Sequence, residues 1–253
     1  MYPERVNRRP QWVTKKYFGK YSDYQLIIQT IHMESIVKII AIETVTHNVK
    51  SFKLEKPEGY SFNPGQATEV SINKEGWQEE KRPFTFTALA DAPFLEFTIK
   101  RYPDHKGVTD QLHQLKPGDE LILRDVWGAI EYKGPGYFIA GGAGITPFLA
   151  ILRELHRQGK LGGNTLFFSN QTYRDIIHED ELKDMLGKNA VFILSKEDKP
   201  GYLHTRIDKS FLQSNNIDIR KHFYICGPDP MINAIAEILT AMGADADAVV
   251  FEK

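Results

Sequence analysis

The chain has 253 residues, which suits one large domain or two domains of about 100–150 residues each. Its formal net charge of −1 gives no global field that would favour nucleic acid or a membrane surface as a partner. The single cysteine, Cys226, excludes an internal disulfide and any iron–sulfur or zinc site built from several thiolates, so we expect no metal and a reducing, cytoplasmic location.

The first 32 residues differ from the rest of the chain. They are rich in basic and aromatic side chains, and neither a helical nor a strand period runs through them. Met33 immediately precedes the first convincing strand. We therefore expect residues 1–32 to be an N-terminal extension that is disordered or not translated, with a functional basic arm as the alternative.

Strand patterns dominate the next hundred residues. Val, Ile and Thr cluster between residues 36 and 46, and apolar residues alternate with polar ones around Phe52 and Phe97. Strands of this number and spacing are typical of a small antiparallel barrel. The expected strands span residues 36–46, 52–55, 67–72, 82–87, 95–100 and 121–123, and a short helix is expected over 108–115.

The pattern changes after Gly134-Pro135-Gly136. Short apolar strands now alternate with helices, which predicts a parallel sheet with helices on both faces and ligands at the carboxyl ends of its strands. The most apolar stretch, residues 137–152, is too short and too interrupted by glycine to span a membrane. We place a barrel domain at residues 33–134 and an α/β domain at 135–253. The expected strands are 137–140, 165–168, 191–194 and 223–226, and the expected helices are 147–158, 179–186, 207–212 and 231–242.

The stretch Arg82-Pro83-Phe84-Thr85-Phe86-Thr87 combines a cation, an aromatic face and two hydroxyls. Arg82 can donate several hydrogen bonds to a phosphate because its guanidinium is a planar fork. Phe84 can cover a flat ring, and one of the threonines can hydrogen-bond a heteroatom of that ring. Taken alone, the stretch fits equally well a surface arginine beside a core strand.

The turn Gly141-Gly142-Ala143-Gly144-Ile145-Thr146-Pro147 joins the first strand of the second half to its first helix. Glycines let the backbone approach a phosphate closely, and the amides at a helix start attract a pyrophosphate. Thr146 is predicted to be the N-cap and Pro147 the first helical residue. The pattern is G-x-G-x-x-P rather than G-x-G-x-x-G, so the usual dinucleotide fingerprint is incomplete.

A second turn, Cys226-Gly227-Pro228-Asp229-Pro230-Met231, ends a later strand of the same sheet. Asp229 is expected to cap the helix that follows, and Pro230 to begin it. Cys226 is expected at the edge of the strand, facing the crevice. No His or Asp partner is evident for a thiolate nucleophile, so covalent catalysis is not indicated.

In this order and at these separations, the motifs R-x-[YF]-[ST], G-G-x-G-x-x-P and C-G-P-x-x-M resemble those of the ferredoxin–NADP reductase superfamily. The resemblance covers Met33 to Lys253. It implies a β plus α/β two-domain fold: an antiparallel six-stranded Greek-key barrel that binds a flavin, FAD rather than FMN, followed by a parallel-sheet domain that binds NADH or NADPH.

The resemblance also implies roles for single residues. Arg82 would hold the flavin phosphate, Phe84 would pack on the flavin where the family usually has Tyr, and Thr85 would hydrogen-bond near the flavin N5 atom. Cys226 would lie against the nicotinamide. The implied catalytic set is Thr85, Cys226 and Glu252. The implied cofactor-binding residues are Arg82, Pro83, Phe84, Thr85, Thr98, Ile99, Lys100, Gly107, Val108, Thr109, Gly142, Gly144, Ile145, Thr146, Cys226, Gly227, Pro228 and Phe251.

The implied activity is hydride transfer from NAD(P)H to bound FAD, followed by electron transfer from a monomeric protein to a separate flavodoxin or ferredoxin. The reductase component of an oxygenase system and a free-flavin reductase are alternatives. A non-catalytic redox regulator that binds flavin or nucleotide is an alternative of another class. The nucleotide preference stays open, because Ser169 and Arg174 could bind a 2′-phosphate, whereas Asp175 and Glu179 lie close to them in sequence.

Overall fold

The computed structural model describes residues 34–128, 130–245 and 249–251, the last residue by its backbone alone. All of these residues belong to one compact unit. The predicted N-terminal extension, residues 1–32, lies outside the described residues. Within the described ranges, we find no helix with the length and hydrophobicity that a bilayer crossing requires.

The first half of this unit is an antiparallel sheet of six strands, as predicted. Its spatial order is β4-β3-β6-β1-β2-β5, so sequential and non-sequential neighbours mix as in a Greek key. Strands β4 and β5 are the two edges of this sheet. Just after β4, the Thr87 amide donates to the Glu96 carbonyl of β5 at 2.9 Å, which brings these two edge strands together. The elements are β1 (Ser35–Thr46), β2 (Val49–Glu55), β3 (Gln66–Ile72), β4 (Arg82–Thr85), β5 (Phe94–Lys100), α1 (Val108–Leu112) and β6 (Glu120–Gly128).

The barrel interior is filled by alternate residues of these strands and by aromatic residues of the segments between them. Phe86 stacks on Phe62 with ring centroids 4.1 Å apart and lies 5.0 Å from Phe97. All three rings are buried, and each contributes about 1.5–3 kcal/mol of hydrophobic stabilisation. On the opposite side of β5, Glu96 and Thr98 are also buried, because another part of the chain covers that face of the strand.

The second half is a parallel sheet of six strands, as predicted, in the order β10-β9-β8-β7-β11-β12. The order reverses beside β7, because β8 lies on one side of it and β11 on the other. The elements are β7 (Gly136–Gly141), α2 (Thr146–Arg157), β8 (Thr165–Asn170), α3 (Glu179–Leu186), β9 (Ala190–Leu194), β10 (Leu203–His204), α4 (Lys209–Ser214), β11 (His222–Cys226), α5 (Asp229–Ala241) and β12 (Val249–Phe251).

Helices cover both faces of the parallel sheet. Phe138 of β7 packs in a cluster with residues of α2 and α3, whereas Ile139 packs in a second cluster with residues of α4 and α5. Successive residues of a strand point to opposite faces, so an unbroken apolar run such as residues 137–140 supplies both cores. The predicted two-faced arrangement is confirmed.

Several predicted boundaries were wrong. Helix α1 ends at Leu112 rather than Leu115, because its last bonds tighten to a three-residue turn. Helix α4 begins two residues late, because the Asp208 carboxylate accepts the Phe211 amide at 2.8 Å and caps the helix there. Strands β10 and β12 were missed, since two and three residues are too few to show a period.

Both predicted N-caps in the second half were also wrong. Thr146 already has helical dihedral angles, because the single turn Gly142–Ile145 runs directly into α2, and its hydroxyl donates to the Ala143 carbonyl at 3.0 Å. Asp229 is the first residue of α5, with Pro228 as the cap in an extended conformation. Both helices nevertheless start at the turns where the sequence predicts them.

Candidate functional site

A cleft of about 480 Å³ opens where the carboxyl ends of β7 and β11 face strands β4 and β5 of the barrel. The reversal of strand order beside β7 creates this crevice, as in other open α/β sheets. The cleft is large enough to enclose part of an extended cofactor. Its lining comprises Pro83, Phe84, Thr85, Thr98, Ile99, Lys100, Tyr102, Thr109, Gly141, Ala143, Gly144, Thr146, Cys226, Gly227 and Pro228.

The barrel wall of the cleft combines an aromatic ring with hydroxyls. Phe84 is half-buried beside Phe97, at 6.2 Å between ring centroids, and its remaining surface borders the cleft. Thr85 and Thr98 line the same wall and are 6% and 5% exposed. A largely apolar surface with a few fixed hydroxyls suits a flat heteroaromatic ring.

The opposite wall is the pair of turns that follow β7 and β11, and these turns touch each other. A Cβ on Gly144 would lie 2.2 Å from the Cys226 carbonyl oxygen, so only glycine fits there. Cys226, the last residue of β11, is 6% exposed and borders the cleft. The close contact leaves backbone rather than side chains on this wall, which allows a phosphate-bearing ligand to approach.

A second cleft of about 240 Å³ adjoins the first and shares Lys100, Tyr102, Gly141, Ala143 and Pro228 with it. It continues to the carboxyl ends of β8 and β9. Its further lining residues are Gly142, Ser169, Asn170, Gln171, Asp175, Ser195 and Met231. The two clefts together form one elongated site.

Asn170 of the second cleft has a buried side-chain amide without a hydrogen-bond partner in the described part of the chain. It is 5% exposed, and neither its amide nitrogen nor its amide oxygen has a hydrogen-bond partner among the described residues. An unsatisfied buried amide costs about 1–3 kcal/mol, so such groups call for a ligand. Asp175 lies in the same lining, where its carboxylate accepts the Thr172 amide at 2.9 Å and the Thr172 hydroxyl at 2.8 Å.

The structure therefore brings most of the predicted site residues into one cleft, but not all of them. Arg82 begins β4 with an exposed side chain, and its guanidinium donates to the Lys81 carbonyl at 2.6 Å. Gly107 precedes α1 and does not line the cleft. Val108 is buried in the barrel core, and Ile145 is buried in the core cluster that contains residues of α2 and α3. Phe251 is described by its backbone alone, and Glu252 lies outside the described residues.

Sequence reasoning missed Tyr102 and Ala143, which line both clefts. Tyr102 follows β5 by two residues, where no strand period points to it. Its side chain lies 5.9 Å below the Lys100 ammonium, and partial burial raises the pKa of its phenol, which keeps the hydroxyl protonated. Among the described residues, no group of three or more His, Cys, Asp or Glu side chains is placed to hold a metal ion.

Comparison with known proteins gives two matches to family models, one in each half of the chain. Residues 36–132 match an oxidoreductase FAD-binding domain, and residues 138–237 match an oxidoreductase NAD-binding domain. The chain belongs to the ferredoxin–NADP reductase superfamily. The predicted family and the predicted cofactor classes, FAD and a nicotinamide dinucleotide, are confirmed.

Curated relatives of this superfamily align over most of the chain. The reductase component of propane 2-monooxygenase from Rhodococcus jostii is 29% identical over 238 residues, which cover 85% of this chain and 62% of that protein. NADH-cytochrome b5 reductase 2 from Coccidioides immitis is 30% identical over 227 residues, 79% of this chain and 67% of that protein. The chain thus spans about two thirds of the length of these relatives.

Solved structures share the fold. The flavohem-like FAD/NAD-binding domain of nitric oxide dioxygenase from Vibrio cholerae superposes with a TM-score of 0.77 at 22% identity, over 86% of this chain and 97% of that one. A ferredoxin NADP+ reductase from Neisseria gonorrhoeae, with bound FAD and NADP, gives 0.70 at 21% identity, over 83% and 92% of the two chains. The predicted two-domain fold is confirmed.

Proposed function

We propose that this chain is an NAD(P)H-dependent flavin oxidoreductase that passes electrons to a separate acceptor protein. The observation that carries the proposal is the single cleft in which the Phe84–Thr85 wall of the FAD-binding part faces the Gly144 and Cys226 turns of the NAD-binding part. Residues of both walls could therefore hold the two cofactors in the same cleft. We further propose residues 33–134 as the flavin-binding domain and 135–253 as the nucleotide-binding domain.

FAD, when bound, would supply the chemistry, because a flavin accepts hydride from a nicotinamide and can release single electrons. The chain's own residues would bind and orient the reacting rings. We assign Phe84 to ring packing, and the buried hydroxyls of Thr85 and Thr98 to hydrogen bonds with ring heteroatoms. We assign Arg82 to a flavin phosphate, since its exposed guanidinium has donors to spare beyond its bond to Lys81.

In the NAD-binding half, backbone groups would supply most of the contacts to the nucleotide. The Gly142–Ile145 turn would offer amides to the pyrophosphate. The Lys100 ammonium lies beside this turn, 3.9 Å from where a Cβ added to Gly142 would lie. Cys226 would shape the nicotinamide crevice as a small packing side chain rather than as a nucleophile. We keep Phe251 as a proposed cofactor-binding residue and Glu252 as a proposed catalytic residue, as the family resemblance implies.

The acceptor we favour is an oxygenase component. Relatives bear such names: the propane 2-monooxygenase reductase component, and the toluate 1,2-dioxygenase electron transfer component of Pseudomonas putida, which is 25% identical over 230 residues. The one cysteine of this chain cannot ligate a four-cysteine cluster, so electrons would leave its flavin for a centre outside these 253 residues. A ferredoxin or flavodoxin is the second candidate for that role.

We also propose NADH as the preferred reductant. The second cleft holds the Asp175 carboxylate and neutral polar groups at the end of β8, and the cation in its lining, Lys100, lies beside the glycine turn. A carboxylate there accepts a hydrogen bond from a ribose hydroxyl and repels a 2′-phosphate. Arg174 is exposed and directed to the Tyr173 hydroxyl, at 3.4 Å.

The test is a visible spectrum of the purified protein followed by anaerobic titration with NADH and then NADPH. We expect a flavin band that NADH bleaches at lower concentration than NADPH. A colourless protein that takes up neither FAD nor FMN would overturn the proposal. A yellow protein that neither nucleotide reduces would favour the redox regulator, and flavin lost on desalting would favour the free-flavin reductase.

Two substitutions separate the assigned roles. Arg82→Ala should sharply lower the flavin content of the purified protein, whereas Lys81→Ala, its neighbour, should leave it unchanged. Asp175→Asn keeps the hydrogen-bond acceptor but removes the charge, and should raise kcat/KM for NADPH relative to NADH about tenfold. Asp184→Asn, on the exposed side of α3, serves as the control for loss of one negative charge.

A further inference from the structure

A partly buried ion-pair network connects the barrel to the α/β half. The Arg153 guanidinium on α2 donates to Glu96 Oε1 on β5 at 2.8 Å and to the Thr87 carbonyl oxygen at 2.5 Å. Its other two nitrogens donate to the two carboxylate oxygens of Glu181 on α3, at 2.6 and 2.8 Å. The side chains of Arg153 and Glu96 are 17% and 10% exposed, so water screens this contact little.

On the barrel side, the network reaches the cleft through hydroxyls. Thr87 donates from its Oγ1 to Glu96 Oε1 at 2.8 Å, and Thr98 Oγ1 donates to Thr87 Oγ1 at 3.3 Å. Thr98 is a residue of the cleft wall, and Thr87 lies two residues beyond Thr85 of the same wall. The carboxylate of Glu96 is thus one hydroxyl removed from the surface proposed to hold the flavin ring.

On the other side, the network reaches the glycine turn along a helix. Arg153 lies seven residues after Thr146, which borders the cleft at the start of α2, so the two are about 10 Å apart along the helix axis. Helix α2 is continuous over both residues, so its backbone hydrogen bonds link their positions. Any shift of Arg153 relative to Glu96 therefore displaces the Gly144 turn relative to the barrel wall.

We propose that Arg153 is a positioning residue that sets the separation of the two cleft walls and thereby the limiting rate of hydride transfer. This inference rests on the proposed function. Arginine suits the task because one rigid fork satisfies four acceptors on three separate segments, the β4–β5 connection, β5 and α3, which lysine cannot do. A displacement of about 1 Å between reacting groups is enough to slow such a reaction about 100-fold.

Arg153 and Glu181 stabilise each other's charged form. Burial lowers the pKa of Arg153, but hydrogen bonds and charges from Glu181 and Glu96 outweigh it and leave that pKa raised. Burial likewise raises the pKa of Glu181, and the Arg153 guanidinium more than reverses this, leaving that pKa lowered. Arg153 and Glu181 therefore both carry their charges near neutral pH.

Other contacts keep the two halves joined when Arg153 is replaced. Val49 of the barrel packs in the same core cluster as Phe148 and Leu152 of α2. One turn further along α2, Arg157 pairs with Asp91 of the barrel, and both side chains are largely exposed. Loss of Arg153 should therefore loosen the spacing without separating the halves, whereas loss of the exposed Arg157 pair should do neither.

The experiment compares Arg153→Met, which removes every donor, and Arg153→Lys, which keeps the charge, with the control Arg157→Ala. Stopped-flow reduction of the flavin-loaded protein over a range of NADH concentrations gives the limiting rate and the Kd of NADH separately. We expect the limiting rate to fall about 100-fold in Arg153→Met and by less in Arg153→Lys, with a change in Kd below about threefold. Arg157→Ala should match the wild type.

A second readout does not depend on turnover. Pulsed electron paramagnetic resonance between nitroxide labels at Glu58→Cys on the barrel and Lys188→Cys after α3, both exposed sites, measures the distance distribution in a Cys226→Ala background. Arg153→Met or Arg153→Lys should broaden or shift this distribution, and Arg157→Ala should not. An unchanged distribution and limiting rate in both Arg153 variants would overturn the inference. A wild-type protein that neither nucleotide reduces would instead refute the proposed function, and the distance measurement would still decide whether Arg153 sets the spacing.

Discussion

Replacement of Gly144 by Ala tests whether the two turns of the NAD-binding half must touch. The added Cβ would lie 2.2 Å from the Cys226 carbonyl oxygen, 2.4 Å from its carbonyl carbon and 2.6 Å from the Gly227 amide nitrogen. All three atoms are backbone, so no side chain can rotate away. Separation to an ordinary contact of about 3.4 Å requires one turn to move by roughly 1 Å relative to the other.

The displacement has two consequences of predictable size. Overpacking of this kind destabilises a protein by about 1–3 kcal/mol. For a domain of this size that corresponds to a fall in Tm of between about 2 and 12 °C. Because Gly144 and Cys226 both border the cleft, the same movement shifts the wall proposed to hold the nicotinamide, and flavin reduction should slow by about 100-fold.

The assay is thermal unfolding by circular dichroism together with stopped-flow flavin reduction. Gly162→Ala is the matched control, since a Cβ there meets nothing within 4 Å and Gly162 does not have a positive φ. That variant should be neutral or more stable by up to about 1 kcal/mol, because alanine restricts the unfolded chain. A Gly144→Ala protein with the wild-type Tm and reduction rate would refute the argument that these backbones are in obligatory contact.

Three further predictions concern buried polar groups. Burial, aided by the Arg153 guanidinium, lowers the pKa of His178 below its unfolded value of 6.5, so the unfolded chain takes up the proton first. The free energy of unfolding measured with urea should therefore decline as the pH falls below about 6.5, by at most about 1.4 kcal/mol per pH unit, and His178→Gln should make this decline less steep. Asn170→Ala should weaken NADH binding, measured by titration calorimetry, about tenfold. The Tm of the protein without NADH should stay unchanged or rise, because the side-chain amide of Asn170 has no hydrogen-bond partner to lose among the described residues, and a fall in that Tm would show that the amide is satisfied within the protein. Tyr224→Phe should cost about 2–4 kcal/mol of unfolding free energy, because the hydroxyl accepts the amides of Lys133 and Gly134 at 2.9 and 3.0 Å; an unchanged denaturation midpoint would show that water replaces it.

Much of the fold could be predicted because the signals are local. The period-2 alternation around Phe97 and the apolar run at residues 137–140 follow from which face of a strand is buried, and each is visible within a few residues. The glycine turn before α2 and the Cys226 turn before α5 likewise lie where the sequence places them. These signals were enough to predict the class of fold, and the three motifs in their order carried the resemblance to the family.

The boundaries failed where a capping bond, an adjoining turn or a neighbouring strand decides the conformation. Helix α4 starts where the Asp208 carboxylate meets an amide, and Thr146 is inside α2 because the preceding turn is already helical. Strand β12 exists because three residues find a place beside β11. None of these contacts leaves a periodic trace in the sequence.

The sequence by itself determined the two-domain architecture, strand β4 and the two turns that converge on the cleft, because strand alternation, helix periodicity and glycine at close contacts are properties of neighbouring residues. The family followed from the resemblance of the three motifs in their order. Only the tertiary structure decided which polar residues are buried and what they meet. Glu96 reads as one polar position of a strand, yet it pairs with Arg153, 57 residues away. Asn170 reads as the end of a strand, yet it lines a cleft, and its side-chain amide has no hydrogen-bond partner among the described residues. The physical reason is that burial and ion pairing depend on segments that fold against each other, and the local pattern of a strand or helix carries no record of its partner.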